Sequence, residues 1–153
     1  MSRTSTTQLA SEELVFAITS VSAAAAAGAA HGDLATASAL SDYYGLVADA
    51  VRGSEGRVVK VIGDGVLIVF PLHRAREAVE DLRDLQSTAT EWWSAFDPRC
   101  RLQVKMASGS LATGLMGPPR AERFDVYGSA LNELFKMPPG DFVVAPELSR
   151  LLE

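Results

Sequence analysis

Lys60 and Asp64 stand four residues apart in Arg57–Phe70, RVVKVIGDGVLIVF, and only part of this stretch is explained by turn and strand chemistry. Two β-branched runs flank Gly63-Asp64-Gly65, and Asp-Gly between apolar runs is a strong hairpin signal. The glycines supply the positive φ that a side chain resists. An aspartate at such a turn is, taken alone, a structural residue. Lys60 lies between Val58 and Ile62 on one strand face, so it is either an exposed charge or a group awaiting a ligand. Further on, Asp125 precedes Asn132 and Lys136, which fall one helical turn apart on a common face. Those two mark a solvated helix surface unless a ligand claims them. His31 and His73 have no partners at ligand or triad spacing and read as surface residues at helix ends. The chain offers no Ser–His–Asp arrangement and no phosphate-binding P-loop.

The elements that must carry these residues follow from periodicity. Residues 1–10 read as a flexible tail, and 11–153 as one domain. Leu14 to Ile18 fits a buried first strand, and the alanine-rich run after it a small helix. Gly32-Asp33 offers a helix stop and a fresh N-cap. Leu34, Ala37, Leu40, Tyr44, Val47 and Val51 then recur at helical spacing and predict a core-facing stripe. After the hairpin, Leu72, Ala75, Val79, Leu82, Leu85, Ala89 and Trp92 predict a second long helix, ended by Asp97-Pro98. Leu102, Val104 and Met106 alternate as in a half-buried strand. A glycine-rich connection is expected over Gly109 to Gly117, then a strand over Arg123 to Tyr127. A helix over Ser129 to Met137 and a strand over Phe142 to Ala145 complete the pattern. This order predicts an α+β sandwich of ferredoxin-like, split βαβ topology, with helices packed on one face of a mainly antiparallel sheet.

Composition narrows the function classes. A chain of 153 residues buries roughly two-thirds of its unfolded surface. The net charge of −5, with no Lys/Arg cluster, argues against a nucleic-acid surface. Cys100 is the only cysteine, which excludes a disulfide framework or thiolate metal site within one chain. The apolar run Val21 to Ala30 is too short to cross a bilayer and lacks the flanks of a signal peptide, so no membrane segment and a cytoplasmic location are expected.

Three stretches resemble class III nucleotidyl cyclase domains over roughly residues 12 to 152. The first is Lys60-Val61-Ile62-Gly63-Asp64 with its apolar strand. The second is Asp125, Gly128 and Asn132 at the family's spacing, with Lys136 where the family has arginine. Ser108 to Gly114, a glycine-rich strand end, is a weaker third. The resemblance implies chemistry that joins the 3′-hydroxyl of a nucleoside triphosphate to its α-phosphate. In the family two divalent cations, Mg²⁺ or Mn²⁺, are held by two aspartates, because one ion activates the hydroxyl while the other neutralises phosphates. By the same resemblance, Asp64 matches one metal aspartate, and Lys60 and Asp125 match the pair that reads adenine. Asn132 matches the ribose-orienting residue, and Lys136 takes the place of the transition-state clamp, as a flexible point charge instead of a planar fork.

The departures from the family pattern shape the functional expectation. The first metal aspartate should follow Phe16-Ala17, yet Ile18 stands there, or one residue has been deleted. The family's C-terminal lysine hairpin does not follow Glu153, so the domain reads as shortened at its C-terminus. At roughly 2–4 kcal/mol for each lost transition-state contact, three losses cost several orders of magnitude in rate. The resemblance therefore implies an adenylyl-cyclase-like domain, degenerate, with little or no turnover and a nucleotide- or partner-binding role in signalling. The alternative is an active adenylate cyclase, alone or as the base-reading half of a heterodimer. Its implied partners are ATP or a related nucleotide and a second cyclase domain, as homodimer or heterodimer.

Overall fold

The hairpin forms where the Asp-Gly pair places it. In the computed structural model, which describes residues 8–153, strands β2 (Arg57–Ile62) and β3 (Gly65–Pro71) pair in antiparallel fashion across the turn. Residues 1–7 of the expected tail lie outside the described residues. The two turn glycines serve different ends. Gly63 takes the positive φ of 61°, whereas a Cβ on Gly65 would approach the Thr19 carbonyl oxygen to 3.0 Å. Gly65 is thus favoured by close approach of the neighbouring strand.

That neighbour is β1 (Ala10–Val21), longer than the apolar run Leu14 to Ile18 predicts because its polar ends also find strand partners. It lies between β3 and β4 (Leu102–Met116) and pairs antiparallel with both. β4 runs through the glycine-rich segment expected to be a connection. Gly109 and Gly114 are strand residues there, because the backbone ladder to β1 continues to Thr113 and the next strand pairs Gly114 with Asp125, whatever the side chains. β5 (Arg123–Tyr127) follows β4 on the far edge, giving the order β2-β3-β1-β4-β5. β6 (Phe142–Val144) pairs parallel with the start of β4.

Helices α1 (Ala24–His31), α2 (Asp33–Val51) and α3 (Ala75–Phe96) cover one face of this sheet. α3 buries Ala75, Val79, Leu82, Leu85 and Ala89, as its periodicity predicts, but Trp93 and not Trp92 is the enclosed tryptophan. In α2 the buried residues are Tyr43, Val47 and Val51. Leu34 at its start is 86% exposed, so the first turns of α2 run past anything that covers them and the apolar stripe is rotated toward Tyr43. Gly32, not Asp33, occupies the N-cap. The mixed, mostly antiparallel architecture agrees with the α+β reading. The opposite face carries a second core around Phe16, Leu67 and Leu111, covered by the short α4 (Ser129–Lys136). A last helix, α5 (Pro146–Leu151), starts on a proline and seats Leu148 in the first core. None of the described helices is long and apolar enough to cross a membrane.

The far end of the helical layer is tied by one carboxylate. Asp97, nearly buried beyond α3, accepts hydrogen bonds from the Arg99 backbone at 2.9 Å and its guanidinium at 2.7 and 3.0 Å. It also pairs at 3.1 Å with His31, the last residue of α1, whose ring packs on Phe96. Hydrogen bonds from the Arg99 side chain and backbone hold the Asp97 carboxyl well below the usual carboxylate range, against the opposing pull of desolvation. A folded-state pKa below the unfolded one contributes stability that is complete above about pH 4 and is lost as pH falls. Urea midpoints should therefore drop on acidification below that point, and Asp97→Asn should flatten that drop. A steric prediction stands beside it. A Cβ on Gly56 would lie 2.6 Å from the Val51 Cβ and 2.7 Å from the Phe70 ring. Gly56→Ala is expected to cost about 1–3 kcal/mol in urea denaturation.

Candidate functional site

The hairpin turn is held from two sides. The buried Thr19 hydroxyl of β1 accepts from the Val66 N–H at 3.2 Å and from the Tyr43 hydroxyl at 2.8 Å. Burial pushes the Tyr43 phenol well above its ordinary pKa and keeps it a donor. Next to it on α2, Tyr44 donates its hydroxyl to the Gly63 carbonyl at 2.6 Å. Asp64, half-buried, turns its carboxylate inward and accepts from the Val21 N–H at 2.7 Å. Periodicity signalled neither the Thr19–Tyr43 contact nor the Asp64–Val21 bond, since each joins residues distant in sequence.

Ile18 lies beside this turn. Its Cδ1 comes within 3.4 Å of where a Gly65 Cβ would be, and it pairs with Leu67 in a ladder that runs unbroken from Leu14 to Thr19. The carboxylates of β1, Glu12 and Glu13, belong to the strand's other end, opposite Leu111 and Ser110. Among the described residues, no group of three or more His, Cys, Asp or Glu side chains is placed to hold a metal ion. The donor set thus does not fit the cage of two aspartates and two cations that the resemblance implies, because one carboxylate is engaged by backbone and its expected companion is an isoleucine.

Lys60 and Asp125, 65 residues apart, do come together. The Lys60 ammonium is 3.1 Å from one oxygen of Asp125 and 3.2 Å from the other. They belong to β2 and β5, the two ends of the strand order, so the sheet curls until its outer strands touch. A second contact joins the same strands: the Arg57 guanidinium lies 3.5 Å over the Phe124 ring. Asp125 also accepts from the Val126 N–H at 2.8 Å, which fixes its rotamer. Sequence reasoning did not find Arg57, although the aromatic residue beside Asp125 was a signal.

Asn132 and Lys136 occupy α4 and are exposed. Lys136 reaches only toward Glu133, at 3.9 Å on the same helix. Among the described residues, no hydrogen bond or ion pair links either of them to Lys60, Asp64 or Asp125. Nor do these five residues line the large open cleft of about 880 Å³, whose walls include Leu14, Arg57, Phe70, Leu72, Phe124 and Leu152.

No family model matches the chain, and no curated protein sequence matches it. Solved structures do. Adenylyl cyclase CyaB from P. aeruginosa superposes with a TM-score of 0.86 at 14% identity, covering 95% of this chain and 82% of that one. The fold is that of a nucleotide cyclase catalytic domain. The catalytic core of a rhodopsin-guanylyl cyclase with converted specificity, solved in complex with ATPαS, gives 0.85 at 15% identity over 95% and 84% of the two chains. A bacterial light-regulated adenylyl cyclase gives 0.82 at 17% identity over 95% of this chain, which spans 46% of that one. At such identities the likeness establishes the cyclase fold alone.

Within that fold the Lys60–Asp125 pair is an exposed contact, with side chains 44% and 29% accessible. Such pairs contribute little because water screens them. A double-mutant cycle of Lys60→Ala and Asp125→Ala should give a coupling energy below about 1 kcal/mol, shrinking further in concentrated salt. A coupling of several kcal/mol would make the pair a structural clasp.

Proposed function

We propose that the chain is a class III cyclase-like domain that binds an adenine nucleotide and a second cyclase chain, with little or no turnover of its own. One contrast carries this reading. The hairpin and β5 bring Lys60 and Asp125 within hydrogen-bonding distance of each other, while Asp64, the carboxylate that catalysis would need, bonds the backbone beside an isoleucine. Lys60 can donate to ring N1 of adenine, and Asp125 can accept from the exocyclic amine. Guanine presents the reverse pattern, so the pair favours ATP over GTP. Asn132 and Lys136, exposed on α4, would face ribose and phosphate.

The set lies on open surface and not in an enclosed pocket, which suits a site closed by another chain. A two-fold dimer would present the same surface twice. Exposed apolar side chains at Val61, Ile62, Leu115, Tyr127 and Phe135 supply contact area near the ends of the strands and α4 that carry the set. A second reading rests on the same contrast: the chain keeps base-reading residues and lacks a metal pair, so it could complete a heterodimer with a cyclase domain that has both aspartates. In either case its role is regulatory, in nucleotide signalling.

The test is ATP-to-cAMP turnover by the purified protein with Mn²⁺, alone and mixed with an active cyclase domain, beside calorimetry of a non-cyclisable ATP analogue. The expected result is analogue binding that weakens in Lys60→Ala, with turnover alone several orders of magnitude below that of an active domain. Ready cAMP production by the protein alone would overturn the reading. Failure to bind the analogue would reduce it to a partner-binding domain.

A further inference from the structure

Strand β1 has a bonding problem at its hairpin end. Its ladder with β3 stops at Thr19 and Val66, because the chain beyond Val66 bends into the turn at Gly63–Gly65. On the other side the ladder with β4 continues to Val21 and Leu102. Val21 is buried, and its N–H receives no acceptor from β3. A buried amide left unpaired costs free energy comparable to a lost hydrogen bond. Asp64 supplies the acceptor, at 2.7 Å, from the turn itself.

The same turn is gripped at its other positions. Tyr44 bonds the Gly63 carbonyl, Thr19 bonds the Val66 N–H, and a Cβ on Gly65 would press to 3.0 Å of the Thr19 carbonyl oxygen. Asp64 is the one member of this set that bears a charge. Ile18, whose Cδ1 comes within 3.4 Å of where a Gly65 Cβ would be, provides no second oxygen beside it.

We infer that Asp64 is a backbone latch that closes hairpin β2–β3 onto the end of β1, and that nucleotide binding by this chain requires no divalent cation at this position. The second half of the inference rests on the nucleotide-binding reading above; the first half does not. A cation recruited to Asp64 would find one of its two carboxylate oxygens already accepting from Val21, and an isoleucine beside the turn in place of a second carboxylate. The bond needs an acceptor oxygen, which an amide side chain also offers, whereas cation binding here needs the negative charge. Asp64→Asn and Asp64→Ala therefore separate the two roles.

Thermal unfolding of the parent and both variants, with millimolar MnCl₂ or with EDTA, provides the test. Asp64→Asn is expected to unfold near the parent, and Asp64→Ala about 2–6 °C lower. MnCl₂ should shift none of the three. A rise in the parent's midpoint with MnCl₂ that Asp64→Asn abolishes would overturn the inference, as would an Asp64→Ala protein as stable as the parent. If Asp64→Ala does not fold, amide exchange of Val21 in the parent decides: protection supports the latch, and exchange at the open-chain rate overturns it. Calorimetry with the ATP analogue should give the same affinity in MnCl₂ and EDTA, and a loss of binding in EDTA that Asp64→Asn reproduces would overturn the cation-free half. Absence of nucleotide binding in both conditions would count against the proposed function and that half together, while the unfolding and exchange measurements still judge the latch.

Discussion

The buried hydroxyl of Thr19 is the point on which the hairpin end of the molecule turns. A polar group taken out of water must keep its hydrogen bonds, and Thr19 meets that demand by joining β1, the first residues of β3 and helix α2 through Tyr43. Once those three elements are fixed, the positions of Tyr44 over Gly63 and of Asp64 against Val21 follow. The turn is therefore a tertiary object, held by a helix that precedes it by some twenty residues. Burial pushes the Tyr43 phenol above its ordinary pKa, and it donates to Thr19.

The second constraint is the curl of the sheet. Strands twist with a fixed hand, and here the twist brings β2 and β5 into contact although they stand at opposite ends of the strand order. Lys60 on Asp125 and Arg57 on Phe124 are the result. Neither contact is energetically large in water, so their value lies in position: they set a cation and a carboxylate side by side at the surface. The helical layer on one face leaves the other face to α4 alone, and the residues available to a ligand or a second chain gather there and along the outer strands.

These two constraints pull the cyclase-like residues apart in role. Lys60 and Asp125 are brought together with side chains still reachable by solvent. Asp64 is drawn inward by a backbone amide. Ile18, apolar and partly buried, packs beside the turn that Asp64 holds.

Much of this was legible in the chain itself. The hairpin, the long α3, β5 and α4 followed from turn chemistry and from periods of 2 and 3.6 residues, because those signals are local. So did the three stretches that resemble cyclase domains, since spacing within one element survives when the rest of a sequence drifts. The reach of β4 through its glycines was not legible, because the ladder that holds it comes from β1, nearly a hundred residues earlier. Nor was the rotation of α2, which buries Tyr43 in place of Tyr44 and leaves Leu34 exposed, since periodicity gives a stripe but not what will cover it. Sequence named Lys60, Asp64 and Asp125 as residues with something to explain. Only the tertiary structure paired the first with the third and turned the second toward Val21, because hydrogen bonds between distant segments depend on where the backbone has already been placed.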